Sequence, residues 1–336
     1  MASSKYHRRH NMKAITVKQP GGADQLQITE HAKPDPKDGE ILIKVKASAV
    51  NRTDIINREN NLGYLDNPIL GVEVAGTVEK VGTGSEIKIG TRVMGLVNGG
   101  GYAEYVVMPA DRAMVIPEQL SFVEAAAIPE VFLTAYQTLF WIGQLRANET
   151  VLIHAGGSGV GTAAVQLAKQ LGQANVITTA GSEEKLDFCR SLGADFCINY
   201  KEQNFDEEIL KITKNQGVDL ILDFIGASYW SKNLSSIKVD GRWVLIGILG
   251  GANAENVNLM DLLSKRIQLT GTLLTPRSDE YKVALTTEFY AKTIDLFANN
   301  KLRPIVDQVF PFNQIQQAHE HMENNKNIGK IILKVD

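Results

Sequence analysis

The sequence predicts an α/β protein in two parts: a β-barrel-like unit, then a doubly wound parallel sheet. Three observations carry that expectation. Up to about residue 120 the chain is a succession of short β-branched segments divided by glycine turns. From Val151 onward, apolar strand-like runs alternate with helical patterns, which places the strands parallel with helices on both faces. Between these regimes, Val151-Leu152-Ile153-His154-Ala155-Gly156-Gly157-Ser158-Gly159-Val160-Gly161 passes from an apolar run through glycines into a helix.

Taken in order, Lys13–Val17, Glu40–Ala47 and Glu73–Val81 read as strands, separated by turns such as Pro20-Gly21-Gly22 and Gly82-Thr83-Gly84. Arg92–Val97 and Tyr102–Val107 flank Asn98-Gly99-Gly100-Gly101, and the trio reads as a hairpin. Ser121 with Glu124 three residues on is a capping box, in which hydroxyl and carboxylate each satisfy a free N–H of a helix start. Pro129 interrupts, and an apolar helix is expected over Val131–Leu145. Strands follow at Val176–Thr179, Phe196–Asn199, Val218–Asp223, Arg242–Gly247 and Gln268–Thr272, with helices at Glu183–Leu192, Glu207–Thr213 and about Tyr281–Asn299. A last helix with Ile315, Ala318 and Met322 on one face precedes Lys330–Val335, a strand expected to return to the first unit.

The composition is that of an ordinary globular enzyme, with 44% hydrophobic and 22% charged residues. A formal net charge of −3 gives no reason to expect nucleic acid or an anionic membrane as partner. No apolar run approaches the roughly 20 residues of a membrane span. Two cysteines, Cys189 and Cys197, make no disulfide framework, which suits a reducing cytoplasm. Residues 1–11 are basic and polar without an apolar core, so they read as an extension and not as a secretory signal.

The glycine stretch is where chemistry is expected. Strand, glycine turn and helix form the context of a dinucleotide fingerprint, in which the backbone approaches a pyrophosphate held on the free N–H groups of the helix start. Counted back from Gly161, the pattern gives Gly156, Ser158 and Gly161, with a serine at the middle glycine position. Gly159 and Val160 lie within the same turn. About 20 residues on, where an NAD site wants an acid for the ribose hydroxyls, the chain reads Thr179-Ala180-Gly181-Ser182. Ser182 as a hydrogen-bond donor and Lys185 as a cation suit a 2′-phosphate instead, so NADPH is expected over NADH. Glu183 and Glu184 weaken that local positive potential; the alternative account is favourable charge in a first helical turn.

Further segments carry a resemblance. Ala49-Val50-Asn51-Arg52-Thr53-Asp54, Leu70–Gly76, Ala125–Glu130, His154–Gly161, Asn199-Tyr200 and Asn327–Lys330 resemble the medium-chain dehydrogenase/reductase superfamily. Thr179–Leu186 and Asp240–Leu245 are similar to its zinc-free quinone oxidoreductases of the tumour-suppressor-inducible type. The resemblance implies a GroES-like β-barrel catalytic domain at residues 12–133 and 300–336, and a Rossmann cofactor domain at 134–299. It implies a homodimer joined at the outer sheet edge. It places Asn51, Tyr64, Glu130 and Asn327 at the nicotinamide cleft and adds Tyr200 to the phosphate end. Thr134, Gly181, Gly226 and Gly247 complete the cofactor-contacting set. Asn51 and Tyr64 are the candidate catalytic residues. Asn51 is a candidate donor to substrate or cofactor, or else a loop asparagine satisfying nearby backbone; Tyr64 is a candidate lid and phenol donor, or plain surface. Asp54 reads as a cap.

No metal is expected. Asn51 and Val72 stand where zinc relatives carry a cysteine and a histidine, and neither is a plausible zinc ligand. His154 reads as a packing residue. Without a Lewis acid to ease deprotonation of an alcohol, the acceptor must already be electron-poor: a quinone, or alternatively an enone or enoyl compound.

Overall fold

The computed structural model describes residues 11–60, 67–255 and 257–335. The first strands are β1 (Asn11–Val17), β2 (Leu26–Ala32) and β3 (Glu40–Val50), followed by helix α1 (Arg52–Asn60). Then come β4 (Glu73–Val81), β5 (Arg92–Leu96), β6 (Tyr105–Pro109) and β7 (Met114–Val115). Two short helices, α2 (Phe122–Ala126) and α3 (Pro129–Tyr136), lead out of this unit. The capping box forms as read: the Ser121 hydroxyl accepts from the Glu124 N–H while the Glu124 carboxylate accepts from the Ser121 N–H. The helix expected to run to Leu145 leaves α-geometry after Tyr136 and continues as a wider turn over Gln137–Ile142.

The parallel part comprises β8 (Thr150–Ile153), α4 (Gly159–Gln170), β9 (Asn175–Ala180), α5 (Glu183–Ser191), β10 (Phe196–Asn199) and α6 (Phe205–Ile212). It continues with β11 (Val218–Asp223), α7 (Trp230–Ser236), β12 (Ile237–Leu245), α8 (Leu259–Lys265), β13 (Gln268–Gly271) and the long α9 (Asp279–Ala298). The chain ends with β14 (Val306–Pro311), α10 (Ile315–Glu323) and β15 (Lys330–Lys334).

Six strands form one parallel sheet in the order β10-β9-β8-β11-β12-β13. The order reverses beside β8, which opens a crevice at the strands' C-terminal ends where such sheets bind ligands. A second sheet runs β14-β15-β3-β4-β5-β7, with β6 also on β3. Its antiparallel strands enclose Ile41, Ile43, Val45, Val74, Val78, Val93 and Met108. The tail does return: β15 pairs antiparallel with β3 and parallel with β14. Ile315, Ala318 and Met322 are buried beneath α10, as their spacing predicts. One apolar core joins the units, running from Ala47 and Ala49 on β3 through Val131 and Phe132 to Val151, Ile153 and Ala164.

The hairpin expected around Asn98–Gly101 does not form. β5 pairs with β4 and β7, whereas β6 pairs with β3. Gly99 and Gly100 adopt left-handed φ of 80° and 87°, and the segment bonds across the barrel end instead of reversing on itself. Gly100 N–H donates to Ile69 C=O (2.7 Å), Gly101 N–H to Gly71 C=O (3.0 Å) and Tyr102 N–H to Leu70 C=O (2.9 Å).

Candidate functional site

β8 delivers the fingerprint turn to the crevice. Gly156 and Gly161 are sterically required: a Cβ on Gly156 would run into Thr178 Oγ1, and one on Gly161 into the Ala155 carbonyl. The serine at the middle position has a local task. Ser158 is the N-cap of α4, its hydroxyl accepting from Gly161 N–H at 3.0 Å. The amides of Gly159 and Val160, in the first helical turn, have no carbonyl four residues back to bond, which is what an anion at a helix start requires. These residues fit a pyrophosphate.

His154 ends up buried beneath the turn, between Thr179 Oγ1 (2.9 Å) and Asn233 Oδ1 (2.8 Å). Burial holds its pKa below the usual histidine value, so it is a neutral bridging group and not a base. Asn233 passes the network on to Asp223, whose carboxylate also accepts from Gly226 N–H at 3.0 Å. Gly226 (φ 81°) and Gly247 thus sit at the ends of β11 and β12, on the crevice side of the sheet.

At the end of β9, Ser182 caps α5 by accepting from Lys185 N–H at 3.4 Å. Glu183 and Glu184 fall in the first turn of that helix, in the favourable position for acids, and Glu183 pairs with Arg190 at 3.5 Å. Lys185 lies over Gly157 and donates to the Asn325 carbonyl (2.9 Å). Burial and the neighbouring Lys201 lower its pKa. Sequence reading missed Lys201, although it follows Tyr200 directly. A Cβ on Gly181 would meet Lys201 Cε and Tyr200 Oη at 2.9 Å each, so both side chains line this corner. Two lysines converging on one corner repel each other and suit a phosphate dianion.

The C-terminal segment closes the turn from the other side. Gly329 N–H donates to Gly157 C=O (3.0 Å), and Asn327 Nδ2 donates to the Gly329 carbonyl (2.8 Å). One residue further, Lys330 enters a buried cluster. Its Nζ reaches Glu73 Oε1 (2.8 Å), Asn51 Oδ1 (2.5 Å) and the Val50 carbonyl (3.2 Å). Asn51 Nδ2 donates to Glu73 Oε1 (2.8 Å), and Glu130 N–H donates to Glu73 Oε2 (2.8 Å). Asn51 Nδ2 also reaches the Ala49 carbonyl (3.4 Å), so of the two roles the sequence offered the amide takes the backbone-satisfying one, with side chains engaging both of its polar ends as well. Asp54 is a cap, accepting from Asn51 N–H (2.9 Å), and it also takes bonds from Gly71 N–H and the Tyr102 hydroxyl. Burial pushes its pKa to about 6 against those bonds. Thr134 is buried in α3, one turn from Glu130. Tyr64 lies outside the described residues.

Residues 37–118 match the alcohol dehydrogenase GroES-like domain and residues 159–288 the family described as zinc-binding dehydrogenase. The mouse synaptic vesicle membrane protein VAT-1 homolog-like is 32% identical, over 97% of this chain and 82% of its own length. Escherichia coli quinone oxidoreductase, solved in complex with NADPH, superimposes with a TM-score of 0.88 at 31% identity, over 96% of this chain and all of that one. The enoyl reductase CurK superimposes with a TM-score of 0.85 at 28% identity, over 97% and 99% of the two chains.

The chain belongs to the medium-chain dehydrogenase/reductase superfamily. It is an oxidoreductase of that superfamily, built from a GroES-like barrel and a Rossmann-type nucleotide unit. Neither position where zinc relatives carry a cysteine or a histidine holds a zinc ligand in this chain. Asn51 is bonded within the cluster, Val72 is a buried hydrophobe, and among the described residues no three His, Cys, Asp or Glu side chains group as a metal site. Burial raises the Cys189 thiol to about 12 and the Cys197 thiol to about 11, leaving both as inert apolar fill. The cluster residues Glu73 and Lys330 were missed in the sequence. Each lies within a segment that carries the superfamily resemblance, yet nothing local shows that they meet.

Proposed function

We propose that the protein is an NADPH-dependent, metal-free reductase of quinones. One observation carries this reading: the cleft pairs an anion-binding turn with a cluster of bonded amide, ammonium and carboxyl groups and, among the described residues, no metal-ligand set. Such a site supplies cofactor binding, orientation and protons but no Lewis acid, so it suits an acceptor that is already electrophilic. Bound NADPH supplies the hydride. Gly156, Ser158, Gly159, Val160 and Gly161 are assigned to the pyrophosphate, Gly181, Ser182, Lys185, Tyr200 and Lys201 to the 2′-phosphate end. Glu130, Thr134, Gly226, Gly247 and Asn327 are assigned to the remainder of the cofactor, and Asn51 and Tyr64 remain the candidate catalytic residues. The likeness to the E. coli quinone oxidoreductase, solved with NADPH, supports the cofactor and the class of acceptor.

The second reading is an enone or enoyl reductase, favoured by the likeness to CurK. A panel of naphthoquinones, 2-alkenals and enoyl thioesters at fixed NADPH, compared by kcat/KM, separates the two. The best quinone is expected to lead; an alkenal or thioester ahead of it by tenfold reverses the assignment. We further assign the barrel and tail, residues 12–133 and 300–336, to the acceptor side, residues 134–299 to the cofactor, and the cytoplasm as location. Homodimerisation is proposed through β13. All four of its residues are exposed at the sheet edge, and Ile248, Leu249, Leu259, Met260, Leu263 and Leu273 around it are exposed apolar side chains.

A further inference from the structure

The place given to Glu130 beside the cofactor leaves its acid–base chemistry unused. Glu130 stands in the first turn of α3, its N–H on Glu73, its carboxyl oxygens accepting no hydrogen bond among the described residues. The side chain is neither sealed nor open, being only partly accessible. The next residue, Val131, abuts the fingerprint: a Cβ on Gly159 would meet Val131 Cγ1 and Lys330 Cδ at 3.0 Å each. So Glu130 stands next to the residue that packs on the fingerprint turn and is bonded into the Glu73–Lys330–Asn51 cluster beside it.

Four charged groups face it from four elements. Glu73 on β4 and Asp54 on α1 share its sign, while Lys330 on β15 and Lys282 on α9 oppose it. Lys282 is itself buried, bonded to Asn98 Oδ1 at 3.2 Å and close to Arg112, which pairs with Asp279. Burial first, and the Glu73 carboxylate second, push the Glu130 carboxyl up to about 8. Burial and the like-charged neighbour thus favour the protonated carboxyl, whose O–H has no partner among the described residues, where ordinary glutamates are ionised.

We propose that Glu130 is the general acid of the reduction, delivering its carboxyl proton to the oxygen of the reduced acceptor. The proposal rests on the reductase reading above. A quinone that has accepted hydride from the reduced nicotinamide carries two more electrons and one more proton, as a quinolate monoanion. The Glu130 O–H bond then breaks and the quinolate O–H bond forms, giving hydroquinone and a Glu130 carboxylate. That carboxylate faces Lys330 and Lys282, and its partial accessibility lets solvent return the proton. In an enone the same proton goes to the enolate oxygen left after hydride reaches the β-carbon.

The test uses Glu130→Gln, which keeps the shape and removes the acid, with Glu130→Asp as a shorter acid. Single turnovers of a naphthoquinone at saturating NADPH are followed across pH, so cofactor affinity does not enter. Wild type should hold a plateau at low pH and fall through about pH 8 as Glu130 ionises. Glu130→Gln should lose that limb and run about 100-fold below the plateau, the usual scale of one acid–base group, while Glu130→Asp keeps a limb. Independently of turnover, difference infrared titration of the unloaded protein should show a protonated-carboxyl stretch disappearing near pH 8 in wild type and absent from Glu130→Gln. Retention of the limb in Glu130→Gln, or no such carboxyl in wild type, overturns the proposal while leaving the reductase reading intact. Wild type that reduces no quinone and no enone with NADPH overturns both.

Discussion

Lys330→Met tests whether the buried cluster holds the two units' junction together. The substitution keeps the length and apolar stem of the side chain and removes only the ammonium. In wild type that ammonium bonds Glu73, Asn51 and the Val50 carbonyl, and the two ionic side chains are 4% and 0% exposed. Without it Glu73 is a buried carboxylate lacking its counter-ion, a loss worth about 3–5 kcal/mol in other proteins. Glu73 keeps its bonds from Asn51 Nδ2 and Glu130 N–H, which puts the expected cost at the lower end, about 3 kcal/mol. Urea unfolding followed by far-ultraviolet circular dichroism measures it. Tryptophan fluorescence, from Trp141, Trp230 and Trp243 alone, reports the nucleotide side separately. Glu73→Gln strands the ammonium instead, and the double variant should recover about 2 kcal/mol of the summed single costs, because neither charge is then left alone. A cost under about 1 kcal/mol for Lys330→Met, or strict additivity in the double variant, refutes the reasoning.

Lys201→Ala should raise the KM for NADPH about tenfold and leave that for NADH within twofold, since one charge-assisted bond to phosphate is worth about 1.5–3 kcal/mol; steady-state kinetics with both cofactors check it, and equal effects remove Lys201 from the phosphate corner. Leu263→Glu places a carboxylate on the exposed apolar face of α8 and should convert a dimer to monomer in light scattering coupled to size exclusion; a wild-type chain already monomeric at micromolar concentration ends the dimer proposal.

What the sequence showed and hid follows from how far apart the deciding residues lie. The fingerprint was legible because strand, glycine turn and helix are neighbours in the chain, and even its departure, Ser158 for glycine, has a local reason in the α4 cap. The capping box at Ser121 and the buried face of α10 were legible on the same grounds. The Asn98–Gly101 hairpin was misread because adjacent strands with a glycine turn between them are the ordinary hairpin signal. Which strand each one pairs with is decided by β3 and β4, and that long antiparallel pair gives no local sign of its reach. Lys201 was within reach of the reading, one residue beyond Tyr200.

The cluster at Lys330 was beyond local reading, and it explains why the tail must come back. Gly329 bonds the fingerprint turn through Gly157, and Lys330 bonds Glu73 on β4 and Asn51 at the end of β3. Two consecutive residues of one strand entrance thus fix the fingerprint turn against the barrel. Hydride transfer requires donor and acceptor atoms held close and aligned, and misplacement by about 1 Å can cost on the order of 100-fold in rate. A junction made of one apolar core could slide by such amounts; a backbone bond beside a buried ion pair has only one register. On the function proposed above, the return of β15 is part of the chemistry, because it ties the fingerprint turn to the loop that carries Asn51 through a backbone bond and a buried ammonium.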